Sequence, residues 1–314
     1  MSGLTRGRRR GLSLPELLVT LAILGVVGTV VAKLMTAQVR FWTRTREAGA
    51  VQRNLRTGIG LLPQDLRAAS RRLGDLKVLT DSSIQLNATI GSSMVCERVD
   101  NQTVVLPPQN LTANTLTSWF VEPQVGDSVW LYDQGTGPAT ALWIGREVAL
   151  FESLGPLSAL CNGQPYTNPV LDAPAAKPRL RLRVKVASSA DLLPANVGAG
   201  SPIRFVRPVT YSLYQPTSGS RWYLGYREFT AGSWGGTTAV AGPFQGYAAA
   251  GAGSTGIAFR YYDSTGVQLA IPAPAIRVDR IDLVLRASTR LRAGSPPAEV
   301  RDSIAVRVAL RNRW

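Results

Sequence analysis

The sequence predicts an α+β protein in which one long N-terminal helix packs on a β-rich globular head. Two observations indicate this class. Residues 12–32 form an apolar run of membrane-spanning length, and apolar residues continue beyond it at helical spacing. From residue 78 onward, short apolar alternations separated by Gly, Pro, Asn and Asp indicate strands joined by turns.

The apolar run follows a basic segment, because four arginines lie between residues 6 and 10. At about 1.5 Å per residue, residues 12–32 would form a helix about 30 Å long, the thickness of a bilayer core. Arginines beside a first span keep that side in the cytoplasm, so we expect the remaining chain to be exported. The run is longer than the apolar core of about 7 to 15 residues in a secretory signal, so we expect it to be retained.

Glu16 is the one ionisable residue in this run. Burying a carboxylate in hydrocarbon costs several kcal/mol, so an acid at this place is by default functional and needs a partner. An ordinary signal anchor, whose glutamate merely reaches the headgroups, is the alternative interpretation.

Residues 8–19 read Arg-Arg-Arg-Gly-Leu-Ser-Leu-Pro-Glu-Leu-Leu-Val. This segment resembles the class III signal of type IV pilins and pseudopilins, in which a basic leader ends in Gly and the fifth mature residue is Glu. The resemblance implies cleavage between Gly11 and Leu12 by a prepilin peptidase, followed by N-methylation of Leu12. It also implies that Glu16 meets the terminal amine of a neighbouring subunit. The family usually has Phe at the first mature position, where this chain has Leu12.

Beyond the run, an amphipathic helix is predicted to follow, with its apolar stripe on one face. The stripe consists of Val51, Leu55, Ile59, Leu62, Leu66, Ala69 and Leu73. Gly58, Gly60 and Pro63 fall inside this helix, and the stripe keeps its phase across Pro63. We therefore expect a bend rather than an end at this point.

The same helix carries Asn54-Leu55-Arg56 and then, at residues 64–69, Gln-Asp-Leu-Arg-Ala-Ala. This pattern is similar to that of the larger minor pilins and pseudopilins of the PilW and J types. Asp65 and Arg67 are interpreted as exposed helix charges without a binding role. The predicted organisation is a leader at 1–11, a transmembrane or filament-core half-helix at 12–35, an amphipathic half-helix at 36–74 and an exported β-rich head at 75–314.

Within the head, strands are predicted wherever apolar alternation is bounded by turn residues. The predicted strands are 83–86, 116–121, 128–132, 141–151, 179–186, 203–214, 222–229, 257–262, 276–286 and 303–310. Loops are predicted near 162–178 and 231–254. The second loop contains Trp234, Phe244 and Tyr247, which either form a contact surface or fold back over the core.

The last part of the chain is also similar to PilW-like and J-type proteins. Residues 256–266 resemble the tyrosine-rich strand and aspartate-glycine turn of that family. Residues 276–285 and 308–312 also resemble sequences of that family. In physical terms these are alternating strands with inward residues that form sheet faces. The inward residues are Val278, Ile281, Leu283 and Leu285.

The residue types argue against catalysis. The chain has no histidine, which removes the commonest general base, the usual nucleophile triads and most transition-metal sites. Asp127, Asp133 and Glu147 are candidate calcium ligands by residue type, but their spacing fits no calcium loop and they are interpreted as solvated turn acids. We therefore predict a protein that is not an enzyme and has no cofactor or metal.

Two cysteines, Cys96 and Cys161, are the only thiols in the sequence. In an exported head they would form one disulfide, and two unrelated buried thiols are the alternative.

The net charge of +15 raises nucleic acid as a second candidate partner, since a basic exported surface attracts phosphates. No aromatic-interleaved basic run or recognised nucleic-acid motif is present, so the arginines are interpreted as scattered over solvated faces.

Together the residues and the resemblance predict a minor pilin or pseudopilin of the inner membrane with its N-terminus in the cytoplasm. Its expected partners are other pilin subunits, the prepilin peptidase and the membrane. It would join a type IV pilus, at or near the tip, or else a type II secretion pseudopilus as a J-type component. A signal-anchored protein that binds DNA or a surface, and never enters a filament, is the further alternative.

Overall fold

The structure is a computed structural model. It describes residues 14–109, 115–137, 139–155, 161, 166–167, 178–248, 255–290 and 299–310. The long helix and the antiparallel sheets confirm the α+β class. The chain divides into two compact units, Met1–Gln52 with Thr289–Arg301 and Arg53–Ser288 with Asp302–Trp314.

The described residues form one long helix, α1 (Leu14–Ala68), and fifteen strands. The strands are β1 (Leu76–Leu79), β2 (Ser83–Met94), β3 (Glu97–Arg98), β4 (Thr103–Leu106), β5 (Ser118–Trp119), β6 (Ser128–Asp133), β7 (Leu142–Ser153), β8 (Leu180–Val184), β9 (Pro202–Tyr214), β10 (Trp222–Thr230), β11 (Ser233–Trp234), β12 (Thr238–Phe244), β13 (Ile257–Tyr262), β14 (Arg280–Arg290) and β15 (Glu299–Ala309). Short 3-10 turns form at Ser189–Asp191 and Ala275–Arg277.

The predicted apolar stripe is confirmed for most of its residues, whereas Ile59 and Leu73 are only partly buried and Leu73 lies beyond the end of α1. The buried members are Val51, Leu55, Leu62, Leu66 and Ala69. The helix continues through Pro63, as the unbroken phase of the stripe predicts.

The helix ends at Ala68, before the boundary at residue 74 that the stripe suggested. Two side chains stop it. The Ser70 N–H donates to the Asp75 carboxylate at 2.7 Å, and Arg204 donates to the Ala68 carbonyl at 3.1 Å. The last helical carbonyl and the N–H group that follows it therefore have hydrogen-bond partners outside the helix. If the helix continued, these hydrogen bonds would be lost.

The main sheet of the described residues has twelve strands, and its longest path runs β1-β2-β9-β6-β7-β8-β4-β3. Strand β9 is shared between neighbours. One edge pairs with β2 from Pro202 to Ser212, while the other pairs first with β6 and then with β10. The core between these strands is built from Val129, Leu131, Leu182, Ile203 and Phe205.

The change of partner along β9 falls at a proline. Pairing with β6 ends at Val206, and pairing with β10 begins at Val209. Pro208 has no backbone N–H to donate. It lies between the two paired segments, where neither β6 nor β10 forms a ladder hydrogen bond with β9.

A second sheet of the described residues contains β13, β14 and β15. The predicted inward residues Val278, Ile281, Leu283 and Leu285 are all buried, which confirms them as core. Strand β14 begins at Arg280 rather than at residue 276, because Ala275–Arg277 forms a 3-10 turn. On α1, a Cβ at Gly58 would come within 2.6 Å of Leu285, so glycine lets the helix approach this sheet.

The predicted loop 231–254 is partly wrong, since it contains strands β11 and β12. Strand β12 pairs with β10, and its Phe244 is buried. The Gly and Ala content of this segment is typical of loops, and pairing with β10 overrides it. Strands β1 and β4 were also not predicted, because each has only four residues. The predicted loop 162–178 lies largely outside the described residues.

Candidate assembly site and supporting contacts

The N-terminal turn of α1 carries Glu16, and its side chain is exposed. Pro15 precedes it, which the first turn tolerates because the N–H groups there have no helical partner. The partial positive charge of a helix N-terminus favours a carboxylate at this position. Gly11 and Leu12, the predicted cleavage site, lie outside the described residues.

The apolar side chains that follow Glu16 are exposed rather than packed. Leu24 is 66% exposed, Leu34 59% and Trp42 70%. The threonines of this stretch satisfy their hydroxyls within the helix, as Thr20 does by donating to the Leu17 carbonyl at 2.9 Å. By length and composition α1 can cross a membrane.

Asp65 is not the exposed helix charge that the sequence suggested. It is partly buried and accepts a 2.6 Å hydrogen bond from the Tyr211 hydroxyl on β9. Burial raises the pKa of Asp65, and the hydrogen bond from Tyr211 offsets part of the effect. Burial also raises the pKa of Tyr211 above its usual range, so the hydroxyl remains a donor at neutral pH. Asp65 and Tyr211 thus join the C-terminal end of α1 to the sheet.

We expect the raised pKa of Asp65 to make stability depend on pH. A carboxyl with a higher pKa in the folded state binds its proton more tightly there, so its ionisation lowers stability as pH rises from about 4 through the folded pKa. Relative to wild type, Asp65→Asn should become more stable as pH rises through that window. Urea unfolding of the detergent-solubilised protein over a pH series measures this difference.

Asp263→Asn is the matched control for that series. Hydrogen bonds from Thr265 lower the pKa of Asp263, so its carboxylate stabilises the fold above the unfolded pKa and loses this effect as pH falls. The variant should lose stability relative to wild type as pH rises. A parallel pH trend for the two variants would contradict the burial of Asp65 as the cause.

Arg207 on β9 is among the largest fully buried side chains of the described residues. Its guanidinium contacts both oxygens of Asp127, at 2.7 and 2.8 Å, and Glu228 at 3.3 Å. Both Arg207 and Asp127 are only 2% exposed. Hydrogen bonds from Arg207 to Asp127 raise the pKa of Arg207, so the guanidinium stays charged. The pair lies where the pairing partner of β9 changes from β6 to β10.

The three acids that the sequence raised as calcium ligands do not form a site. Asp127 is paired with Arg207, Asp133 accepts from the Gly135 N–H, and Glu147 binds Lys185. Among the residues described, no group of three or more such ligands could hold a metal. The interpretation of all three as solvated acids is wrong for Asp127 and Asp133, which are buried.

Cys96 and Cys161 are joined by a disulfide with a Cα–Cα distance of 5.5 Å. Both are buried, with Val105, Leu154 and Tyr166 packed around them. The bond ties the residue immediately before β3 to a residue 65 positions further along the chain.

The aromatic residues of segment 231–254 have different environments. Phe244 is buried, whereas Trp234 packs edge-on against Phe229 and under the Arg227 guanidinium. Tyr247 is 48% exposed and donates to Asp81 at 3.1 Å. They do not form one contact surface.

A groove of about 380 Å³ lies between β6, β7 and the chain after β8, with Trp130 among its lining residues. Its charged groups already have partners. Arg146 donates to the carbonyls of Ala190 and Asp191, and Lys185 binds Glu147. This arrangement holds the chain after β8 in place.

Comparison with protein families matches the N-terminal segment of the chain. The family model described as the prokaryotic N-terminal methylation motif matches residues 6–32. The motif indicates a type IV pilin-like or pseudopilin-like protein. No curated protein and no solved structure matches the chain.

The match covers the arginines, the predicted cleavage site, Glu16 and the apolar run, so the segment is a prepilin-type class III signal. Such a signal implies processing by a prepilin peptidase and assembly with other pilins. With the apolar helix, it fits a membrane-anchored, pilin-like protein and a structural subunit rather than an enzyme.

The sequence did not reveal the buried pair of Arg207 and Asp127 or the contact of Asp65 with Tyr211. Arg207 and Asp127 are 80 residues apart, and Asp65 and Tyr211 are 146 apart. The one local signal was Asp65 itself, an acid one position from the buried Leu66 in an amphipathic helix.

Proposed function

We propose that this protein is a minor pilin of the PilW type, a structural subunit that enters a type IV pilus at or near its tip. The observation that carries the proposal is the methylation motif at residues 6–32, continued by a helix with exposed apolar side chains and Glu16 in its first turn. Apolar surface of this extent needs a membrane before assembly and other subunits after it.

Processing would occur between Gly11 and Leu12. Cleavage there removes the four leader arginines and creates a terminal amine on Leu12, which is then methylated. The motif supports this step because it spans both residues.

Glu16 would serve as the assembly contact. Its carboxylate lies in the first turn of α1, within an apolar surface, where an unpaired charge is costly. The terminal amine of a neighbouring subunit has the opposite charge and would be buried in the same apolar environment. Each charge makes burial of the other tolerable.

The head would be exported and the basic leader would remain in the cytoplasm, as expected for a prepilin-type signal. The disulfide between Cys96 and Cys161 supports an exported head, because such bonds persist in oxidising compartments.

Mass analysis of the N-terminal peptide from membrane-purified protein tests the proposal. We expect a chain that begins at Leu12 with one added methyl group. A chain that still begins at Met1 would rule out the pilin route and favour a signal-anchored protein.

Two alternatives remain separate from this proposal. A J-type component of a type II secretion system has the same signal, and co-purification with pilus rather than secretion subunits distinguishes the two. DNA binding is favoured only by the net charge of +15. Several head cations are paired, including Arg179 with Glu97 and Arg181 with Glu152, and unchanged DNA mobility at low salt would exclude this function.

A further inference from the structure

We infer that Arg40, Phe41, Trp42, Arg44 and Arg46, here called the interfacial band, bind anionic phospholipid headgroups of the leaflet on the side of the head. The band would fix the depth of α1 in the membrane before assembly. This inference rests on the proposed function in one respect, namely that α1 is held in a bilayer.

The aromatic residues of the band are exposed. Phe41 is 66% exposed and Trp42 70%, and they are adjacent on α1. Tryptophan collects at the boundary between hydrocarbon and water, because its ring is apolar and its indole N–H is polar. Their exposure next to a helix that can span a membrane points to that boundary.

The distance along the helix puts Arg40, at the start of the band, at headgroup depth. If Leu14 lies at the inner edge of the hydrocarbon, a core of about 30 Å ends near Leu34. Arg40 follows at about 39 Å along the axis, or about 37 Å along the bilayer normal at a common tilt of about 20°. Side chains of a helix lean toward its N-terminus, which brings the guanidinium groups back toward the phosphates.

Charge gives the band its preference for anionic lipid. Lys33, Arg40, Arg44 and Arg46 are exposed, and no acid occurs between Glu16 and Glu47. Glu47 accepts a 3.0 Å hydrogen bond from Thr289. Because basic residues near a membrane surface attract anionic headgroups, we expect the exported side of α1 to collect phosphatidylglycerol.

Lys33 extends the same basic surface into the membrane edge. Its spacing from Arg40 and Arg44, seven and eleven residues, puts the three on one face of α1. Lys33 lies near the end of the hydrocarbon, so its aliphatic stem can run along the helix while the ammonium reaches the headgroups. The membrane segment then ends at the band rather than at Lys33.

Native mass spectrometry of the full chain tests this inference. The protein is reconstituted in nanodiscs of equal parts phosphatidylglycerol and phosphatidylcholine, and the lipids that it retains are counted. Wild type should retain phosphatidylglycerol in preference. The triple variant Arg40→Gln, Arg44→Gln, Arg46→Gln should lose that preference, by about five-fold for each arginine removed.

The matched control is Arg53→Gln, Arg56→Gln, Arg67→Gln, which removes the same charge from exposed positions further along α1. This control should keep the wild-type preference. Trp42→Ala leaves the arginines of the band intact and should keep the lipid preference. Without the indole, the depth of α1 should no longer be fixed. A Gln38→Cys substitution added to Trp42→Ala should then react with a membrane-impermeant maleimide.

Equal retention of the two lipids by wild type would overturn the inference and leave the band to a neighbouring protein subunit. An equal loss in the control triple variant would also overturn it, because the effect would then follow total charge. The lipid count does not depend on processing, so a failure of the proposed function, seen as an uncut Met1 terminus, is distinguishable from a failure here.

Discussion

Glu16→Ala should leave the protein in the membrane and stop its incorporation into filaments. Without the carboxylate, the amine of a neighbouring subunit would be buried unpaired, at a cost of about 3–5 kcal/mol. Such a cost corresponds to at least about a hundred-fold loss of incorporation. Comparison of the membrane and sheared-filament fractions by immunoblot measures it.

Two further variants sharpen this experiment. Thr20→Ala lies one turn from Glu16 and removes a hydroxyl that bonds only to its own helix, so it should assemble normally. Glu16→Gln keeps the shape and hydrogen-bonding capacity but not the charge, and should be nearly as defective as Ala. Normal incorporation of Glu16→Ala would refute the pairing with a terminal amine.

Arg207→Met should destabilise the head by about 3–5 kcal/mol, because it leaves the Asp127 carboxylate buried without its cation. The comparable change at an exposed pair, Arg181→Met, should cost no more than about 1 kcal/mol, since Arg181 and Glu152 are 43% and 41% exposed. Urea unfolding in detergent, followed by tryptophan fluorescence, compares the two.

A second substitution separates the buried charge from the lost packing. If the unpaired Asp127 causes the loss, adding Asp127→Leu to Arg207→Met should recover part of the stability, because a buried ion pair can be replaced by apolar residues of similar size. A double variant less stable than Arg207→Met would show instead that the loss comes from packing along β9.

The N-terminal features could be predicted from the sequence because each depends on nearby residues. The basic leader, the apolar run and Glu16 are contiguous, and the stripe from Val51 to Ala69 follows from helical period alone. The helix end was less predictable. Arg204 and Asp75 stop α1 at Ala68, and Arg204 is more than a hundred residues away along the chain.

The strands of the head followed their apolar alternation, and β13 begins and ends where it was predicted. Strand β12 was missed because a Gly- and Ala-rich segment has no intrinsic strand preference, and its pairing with β10 is a tertiary effect. The partners of Arg207 and Asp65 could not be inferred for a similar reason. Both contacts depend on the placement of β9, which no local pattern specifies.

Strand β9 has a mechanical consequence for a subunit that is pulled by its helix. Tension along α1 would reach the head through Asp65 and Ala68, whose partners Tyr211 and Arg204 are both on β9. Because β9 is hydrogen-bonded to β2 over nearly its whole length and to β6 and β10 on the opposite edge, the load would be divided among many ladder bonds. A head loaded through an interior strand should resist forced unfolding better than one loaded through an edge strand.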